Sequence, residues 1–277
     1  MQLPNFLYIE MKNYILAFLA VAVATSCSKY SITGSSDLQN VDGRMLFLKT
    51  VQGDELANMD SCDVVHGKFR FHGSLDTVRV VALYMDNMPV IPVVLEDGDI
   101  TVTLNSQKQY CKGTPLNDSL SAFNEKYQRL LYRMQDLSHE QSQAIMNGED
   151  MEEVNARLEA KEQELMMEED KLITTFITEN FDNCLGPYVF EMATSSYEYP
   201  VLTPWIEALM TKATETFKNA PYVKEYMKVA HENQNIMTGV TETPPPLPTP
   251  PLAGPTPNDL ARPQSQSQPQ SQPQNQE

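Results

Sequence analysis

The hydrophobic residues of this chain change their spacing at Thr114-Pro115, and this change divides the chain into two kinds of structure. Before it, short runs alternate apolar and polar residues; after it, apolar residues recur every three or four positions, which is the period of a helix. Threonine followed by proline is also typical of a helix start. We therefore predict an α+β fold, with a β domain over residues 31–112 and a helical domain over residues 114–236.

The β domain is expected to be an antiparallel β-sandwich of six or seven short strands. Three dipeptides that favour tight turns separate the runs: Asp42-Gly43, His66-Gly67 and Asp97-Gly98. The clearest strand patterns cover residues 44–48, 68–71, 78–83, 90–95 and 100–104.

The helical domain should be built on a long antiparallel hairpin of two amphipathic helices. The first begins at Pro115, and Asn147-Gly148 is its expected end or that of a short continuation. Asp150 with Glu153 has the pattern of a capping box at the start of the second helix. Three shorter helices, near Cys184, near Trp205 and over residues 221–236, are expected to close the domain.

The charge of the chain argues against nucleic acid as a partner. The formal net charge is −17, with 37 acidic and 20 basic residues, whereas nucleic-acid binding depends on cations that neutralise phosphates. Residues 149–170 include ten acidic residues, but no Asp-x-Asp-x-Asp-Gly loop is present to surround a cation. The alternatives for this run are a cation site or a surface for a basic partner, and we interpret it as a solvated helix face.

The beginning of the sequence resembles the signal of a bacterial lipoprotein. Lys12 precedes an apolar run, residues 14–23, that is too short to span a membrane and leads directly to Ala24-Thr25-Ser26-Cys27. In such signals the cysteine is acylated and becomes the new N-terminus. We therefore expect residues 1–27 to be a signal peptide with Cys27 lipidated. Because the chain is acidic, we expect the body to stand off the bilayer.

The other cysteines leave two interpretations open. An exported chain meets an oxidising compartment, so Cys62 and Cys111 could form a disulfide inside the β domain, and buried free thiols are the alternative. Cys184 is the third cysteine besides Cys27. No Cys-x-x-Cys occurs, which excludes the spacing of thioredoxin-like redox sites.

The end of the sequence, residues 238–277, is expected to be a disordered tail. It is rich in proline and glutamine and has almost no apolar residues to bury.

Motifs for catalysis or cofactor binding were not found in the sequence. It has no Gly-x-Ser-x-Gly elbow, no phosphate-binding glycine loop and no His-Glu-x-x-His. Cys62 with His66 and His72 would lack a fourth ligand for a soft metal. We therefore expect no catalytic residue, no metal site and no cofactor.

Several local patterns together resemble the N-terminal domain of unknown function 4369, which is common in lipoproteins of the Bacteroidetes. They are Ser31-Ile32-Thr33-Gly34, residues 66–73 (His-Gly-Lys-Phe-Arg-Phe-His-Gly), residues 95–102 (Leu-Glu-Asp-Gly-Asp-Ile-Thr-Val) and residues 113–118 (Gly-Thr-Pro-Leu-Asn-Asp). The resemblance extends into the helices at residues 180–186 and covers roughly residues 31–235.

The resemblance implies an envelope protein without its own redox centre. In that family the domain commonly precedes a thioredoxin-like domain with a Trp-Cys-x-x-Cys motif, which has no counterpart here. O-glycosylation in such proteins occurs at Asp-Ser/Thr before an apolar residue, which points to Thr77 and Ser119. Surface-exported relatives carry acidic residues after the lipidated cysteine; the sequence Ser28-Lys29-Tyr30-Ser31 instead favours the periplasmic side of the outer membrane.

Two functions are therefore considered. The first is a lipoprotein anchored to the outer membrane through Cys27, which binds an envelope protein or a ligand without catalysis. The alternative is an accessory protein of a thiol-disulfide pathway that partners a separate thioredoxin-like reductase.

Overall fold

The computed structural model describes residues 28–38, 41–52, 55–106 and 108–239. The predicted signal peptide with Cys27 lies outside these residues, as does the predicted tail beyond residue 239. The described residues form eight strands followed by six helices, so the predicted α+β order is confirmed.

The strands form a sandwich of two four-stranded sheets. They are β1 (Ser28–Ser36), β2 (Met45–Gln52), β3 (Glu55–Asp63), β4 (Lys68–Leu75), β5 (Arg79–Met85), β6 (Met88–Leu95), β7 (Gly98–Leu104) and β8 (Gln109–Lys112). The first sheet has the order β4-β1-β7-β8 and the second the order β3-β2-β5-β6. At one edge of the sandwich β3 lies against β4, and at the other edge β8 lies against β6.

The sandwich is not wholly antiparallel, because β1 and β7 pair in parallel. The chain enters the middle of the first sheet with β1, and β4 and β7 later add to either side of it. The inner faces of the two sheets supply one core, whose innermost side chains include Ile32, Leu48, Phe71 and Ile100. In this core the ring of Phe69 lies over Gly34, its cross-strand partner, where a Cβ would overlap the ring.

Three strands had no clear sequence pattern: β1, β3 and β8. In β1 the inward positions include Gly34 and the outward ones are serine, threonine and lysine, so the apolar alternation is weak. The edge strand β3 carries several polar residues, and β8 has only four residues. Their pairing depends on neighbouring strands, which a single-sequence pattern does not show.

The helices begin directly after β8. They are α1 (Pro115–Asn147), α2 (Met151–Glu179), α3 (Leu185–Thr194), α4 (Pro204–Lys212), α5 (Glu215–Lys218) and α6 (Pro221–Met237). The predicted hairpin of α1 and α2 and the three shorter helices are confirmed, and α5 adds one further turn.

The ends of the hairpin helices lie where the sequence predicts them. Thr114 precedes Pro115 in extended conformation, and Gly148 ends α1 with a φ of 69°, which favours glycine. Asp150 caps α2, but its carboxylate accepts a hydrogen bond from the N–H of Glu152. The expected bond partner of a capping box, the N–H of Glu153, is therefore not the one used.

The shorter helices pack around the base of the hairpin. Phe190 of α3 lies at the centre of this helical core, with ring contacts to Trp205, Phe217, Tyr222 and Tyr226. Within the described ranges, no helix combines the length and apolar character needed to cross a membrane.

Candidate functional site

The β-sandwich and the helices meet at a buried junction centred on Asn117, in the first turn of α1. Only 1% of Asn117 is exposed. Its Oδ1 accepts the N–H of Val94 at 2.9 Å, and its Nδ2 donates to the carbonyl oxygen of Val94 at 2.7 Å. The side chain thus pairs with both backbone groups of one β6 residue, as a neighbouring strand would.

Glu96 caps the start of α1 from the end of β6. Its Oε1 accepts the N–H of Leu116 at 2.8 Å and that of Asn117 at 3.0 Å. Thr114, at the N-cap position, makes no side-chain cap bond, so the carboxylate takes that role. A negative charge is favoured there because the first N–H groups of a helix carry partial positive charge.

Neighbouring side chains complete this junction. Thr114 Oγ1 accepts a hydrogen bond from Asn117 Nδ2 at 2.8 Å, and the Cys111 thiol donates to Asn117 Oδ1 at 3.0 Å. Ser121 Oγ donates to the carbonyl oxygen of Cys111. In the described part of the chain no buried side-chain nitrogen or oxygen lacks a partner. The junction is therefore a satisfied structural network.

The three described cysteines are poor nucleophiles. Burial raises the pKa of the Cys111 thiol to about 12, and burial is also the main cause that raises the pKa of Cys62 and of Cys184 to about 11. Because the thiolate is the reactive form, these thiols are weakly reactive near neutral pH.

Of the two interpretations of Cys62 and Cys111, the structure has the free thiols: no disulfide joins them, and the three described cysteines are free. Cys62 lies on β3, at the edge where β3 meets β4, whereas Cys111 lies on β8 at the opposite edge. A disulfide needs Cα atoms within about 7 Å, which residues at opposite edges do not meet. The strand order, which decides this, could not be read from the sequence.

The distal part of the hairpin extends beyond the helical core. The helical core includes α1 residues up to Tyr127 and α2 residues from Leu172, and none of the described residues between them. We call residues 128–171 the arm. From residue 128 to the end of α1 the arm is about 30 Å long at about 1.5 Å per residue.

The arm is held together by a thin seam of its own. A separate small cluster at its tip contains Ala144, Val154 and Leu158, with Leu137 and Met151 packed against it. Leu130 and Leu165 of the arm are also buried. Five of its large apolar side chains are exposed: Tyr132 (64%), Ile145 (60%), Met146 (78%), Met166 (52%) and Met167 (66%). Contiguous exposed apolar patches mark surfaces that bind other proteins. Two pairs of these side chains, Ile145 with Met146 and Met166 with Met167, are neighbours in the sequence.

Ion pairs between the two helices fix the register of the arm. Arg133 Nη1 lies 2.6 Å from Glu168 Oε2, and Lys161 Nζ lies 2.7 Å from Glu140 Oε2. Arg157 Nη2 also contacts Glu140, at 3.3 Å. These pairs engage both cations of the acidic run 149–170, so the remaining arm surface is strongly acidic.

The outer faces of the two sheets differ. The helices cover part of the second sheet: Val80 and Val94, a cross-strand pair, pack into the helical core. The first sheet contacts α1 at its edge strand β8. We call the outer side of this sheet the open face. It carries the exposed cations Lys29, Lys68, Arg70 and Lys112 and the exposed residues His72 and Asp99, with hydroxyl residues between them: Ser31, Thr33, Ser35, Thr101 and Thr103.

A shallow depression of about 480 Å³ lies at the end of the open face where β1 begins. Its lining includes Lys29, Ser31, His72 and Asp99. His72 and Ser31 are cross-strand partners, and so are Ser31 and Asp99, which leaves the serine between the other two. A nucleophilic triad needs the histidine between serine and carboxylate, so this row does not have triad order.

The other predicted site residues lie apart from one another. Thr77 is exposed in the turn between β4 and β5, whereas Ser119 is half-buried in the first turns of α1. Both glycosylation sites remain predictions, and Thr77 is the more accessible. In the described ranges no three His, Cys, Asp or Glu side chains are grouped to hold a metal ion.

Asn117 and Glu96 were not singled out as functional residues by the sequence pattern. Each lies in a segment that carries the family resemblance, residues 113–118 and 95–102. The signal that could have found them is a polar residue next to buried positions: Glu96 directly after β6, and Asn117 in the first turn of α1.

Comparison with known proteins identifies only the N-terminal part of the chain. No curated protein and no solved structure matches it. The match that exists covers the sandwich and continues into α1 as far as Leu120, so it includes both Glu96 and Asn117. Residues 30–120 match the family model described as a domain of unknown function (DUF4369), and the chain therefore carries a DUF4369 domain.

Proposed function

We propose that this chain is a lipoprotein, anchored through Cys27 to the periplasmic side of the outer membrane, that binds another envelope protein without catalysis. The arm is the docking element. The observation that carries this proposal is that residues 128–171 leave the helical core and expose large apolar side chains along an acidic hairpin.

Several features of the arm suit protein recognition. Tyr132, Met146, Met166 and Met167 offer apolar contact area, and methionine adapts to irregular partner surfaces. The acidic residues around them favour a partner with a basic surface and would repel acidic competitors. Because the arm is held by a small seam of its own, its helices can shift slightly when a partner binds, while the base stays in place.

The cysteines give less support to the alternative function, an accessory protein of a thiol-disulfide pathway. An accessory redox protein would present an accessible, readily ionised thiol, whereas burial raises the pKa of Cys62, Cys111 and Cys184 to about 11 or above. Cys111 is in addition engaged with Asn117.

The test is photo-crosslinking in living cells, with a photoreactive residue at Glu159 or at Glu164 of the arm. Both positions are exposed. The matched control carries the same residue at Lys224, which is exposed on α6 away from the arm. We expect one recurrent envelope protein at the arm positions and not at the control. Identical background at all three positions would contradict the docking role.

The anchor is tested separately by metabolic labelling with a fatty-acid analogue. The chain should incorporate the label and fractionate with the outer membrane, and Cys27→Ser should lose both properties. Label retained in the Cys27→Ser variant would show that this cysteine is not the acylation site.

A further inference from the structure

The open face has a charge opposite to that of the rest of the chain. Lys29, Lys68, Arg70 and Lys112 are exposed there. Asp99 is an exposed acid on the same face, and the exposed Asp97 lies at its edge, where its carboxylate accepts a hydrogen bond from the N–H of Lys29. Many arginines and lysines elsewhere pair with acids, as Arg133 does with Glu168, although some in the described part of the chain, such as Lys171, do not. Among the described residues none of the four open-face cations forms an ion pair. Glu125 of α1 is near enough to interact electrostatically with Lys112.

The cations frame a surface of hydroxyl groups. Strand register places Arg70, Thr33, Thr101 and Lys112 in one row across the four strands. With strands about 4.8 Å apart, the two cations of this row lie about 14 Å from each other. Such a surface offers charge and hydrogen bonds to several separate phosphate groups.

The open face is close in sequence to the proposed anchor. Strand β1 begins at Ser28, directly after Cys27, and it lies within the first sheet. An acyl group on Cys27 would therefore leave no spacer between the bilayer and this sheet. The helical core includes Val80 and Val94 of the other sheet, and α1 contacts the first sheet at its edge strand β8. Neither contact obstructs an approach of the open face to a membrane.

We infer that the open face lies on the anionic phosphate headgroups of the membrane in which Cys27 is anchored. This inference rests on the lipid anchor of the proposed function. Headgroup phosphates bind the four cations, and the Ser and Thr hydroxyls donate hydrogen bonds to the same oxygens. The acidic arm does not cancel this attraction, because charges more than about 8 Å apart are largely screened at physiological ionic strength. The body then rests on the bilayer instead of standing off it.

The experiment uses the full, acylated chain purified from cells and incorporated into vesicles, with a photoreactive residue at Thr33. Thr33 is exposed in the middle of the open face. Vesicles contain either phosphatidylcholine alone or phosphatidylcholine with phosphatidylglycerol. We expect crosslinks from Thr33 to lipid to be roughly tenfold more frequent with the anionic lipid, in line with the attraction of each lysine or arginine to an anionic surface, and to fall in high salt.

A charge-matched pair of variants gives the control. Lys68→Glu with Arg70→Glu and Lys112→Glu should abolish the preference for anionic vesicles. Lys171→Glu with Lys212→Glu and Lys224→Glu makes the same change of net charge at exposed positions of the helices and should retain the preference.

The outcomes separate the inference from the anchor. The inference is overturned if acylated protein gives the same frequency of Thr33 crosslinks with and without anionic lipid. It is also overturned if the two charge variants behave alike. Either result leaves the anchor intact. An intact mass without an acyl group overturns the anchor, and the inference with it. Crosslinks from Thr33 in cells to a polysaccharide or to a second protein, in place of lipid, also overturn it.

Discussion

The base and the arm of the helical hairpin are parts of the same two helices, yet they are held in different ways. At the base, Asn117 is bonded to β6 and Phe123 is buried, with its ring centroid 4.4 Å from that of Phe176. In the arm, a small cluster around Leu158 and exposed ion pairs hold the helices together. The difference shows which part is fixed by the fold and which part is free for binding.

The contrast follows from the number of elements that share each part of the hairpin. At the base α2 contacts α3 and α4 as well as α1, and α1 contacts β6 and β8 of the sandwich as well as α2. Both helices contribute to the helical core, so large aromatic residues are enclosed. In the arm, the tip cluster formed by the described residues comes from α1 and α2 alone, so fewer apolar side chains are enclosed. We therefore expect the same kind of substitution to cost far more at the base than in the arm.

The largest expected loss of stability comes from removing a buried aromatic ring at the base. Phe123→Ala removes a ring that is 2% exposed and packed on Phe176 and Tyr127. We expect a loss of about 4 kcal/mol in the free energy of unfolding, measured by chemical denaturation. Tyr132→Ala on the same helix, at a position 64% exposed, should change it by less than about 0.5 kcal/mol. Equal losses would remove the distinction between base and arm.

The junction to the sandwich should come next in magnitude. Asn117→Ala leaves the N–H and carbonyl oxygen of Val94 without their partners in a buried site. We expect a loss of about 3 kcal/mol in denaturation experiments, because unpaired buried polar groups are costly. The control, Asn124→Ala, changes a half-buried asparagine two turns later on the same helix. A near-neutral Asn117→Ala would show that the junction does not couple the two parts.

The sequence could predict the hairpin better than the junction. The period of the apolar residues, Thr114-Pro115 and Asn147-Gly148 locate α1 within its observed limits, because caps and periodicity are local properties. The resemblance in residues 113–118 likewise anticipated the family of the N-terminal domain. Both are signals carried by neighbouring residues.

The junction and the cysteine positions depend on strand order, which local signals do not contain. Asn117 and Val94 are 23 positions apart, and nothing in either segment shows that one side chain will bond the other backbone. The parallel pairing of β1 with β7 and the separation of Cys62 from Cys111 have the same origin. The arm lies between these cases: its helices were predictable, but its exit from the core was not.

Within the arm, the seam should control local stability only. Leu158→Ala shortens a side chain of the tip cluster, and we expect about 2 kcal/mol less local protection, or roughly thirtyfold faster amide exchange in the arm. Amides of the base should keep their rates, and Met167→Ala, at a position 66% exposed, should change neither region. If exchange at the base accelerated equally, base and arm would unfold as one unit.

The smallest expected effect on stability concerns the ion pairs of the arm. It is best measured through the titration of one carboxyl group, that of Glu140. The hydrogen bond from Lys161, together with the charges of Lys161 and Arg157, lowers the pKa of the Glu140 carboxyl below its usual value. Because the folded pKa is below the unfolded one, this pair stabilises the arm above the unfolded pKa and ceases to do so as the pH falls through the folded pKa.

Carboxyl titration by NMR measures this shift directly. Lys161→Gln should raise the pKa of Glu140 towards its ordinary value and leave the residual effect of Arg157, while Lys171→Gln, outside the pair on the same helix, should leave it unchanged. Both variants should match the wild type in global denaturation, because exposed ion pairs contribute little to stability. If Lys161→Gln left the pKa of Glu140 unchanged, the arm helices would not hold this register in solution. A docking surface that depends on the register would then have to form on binding.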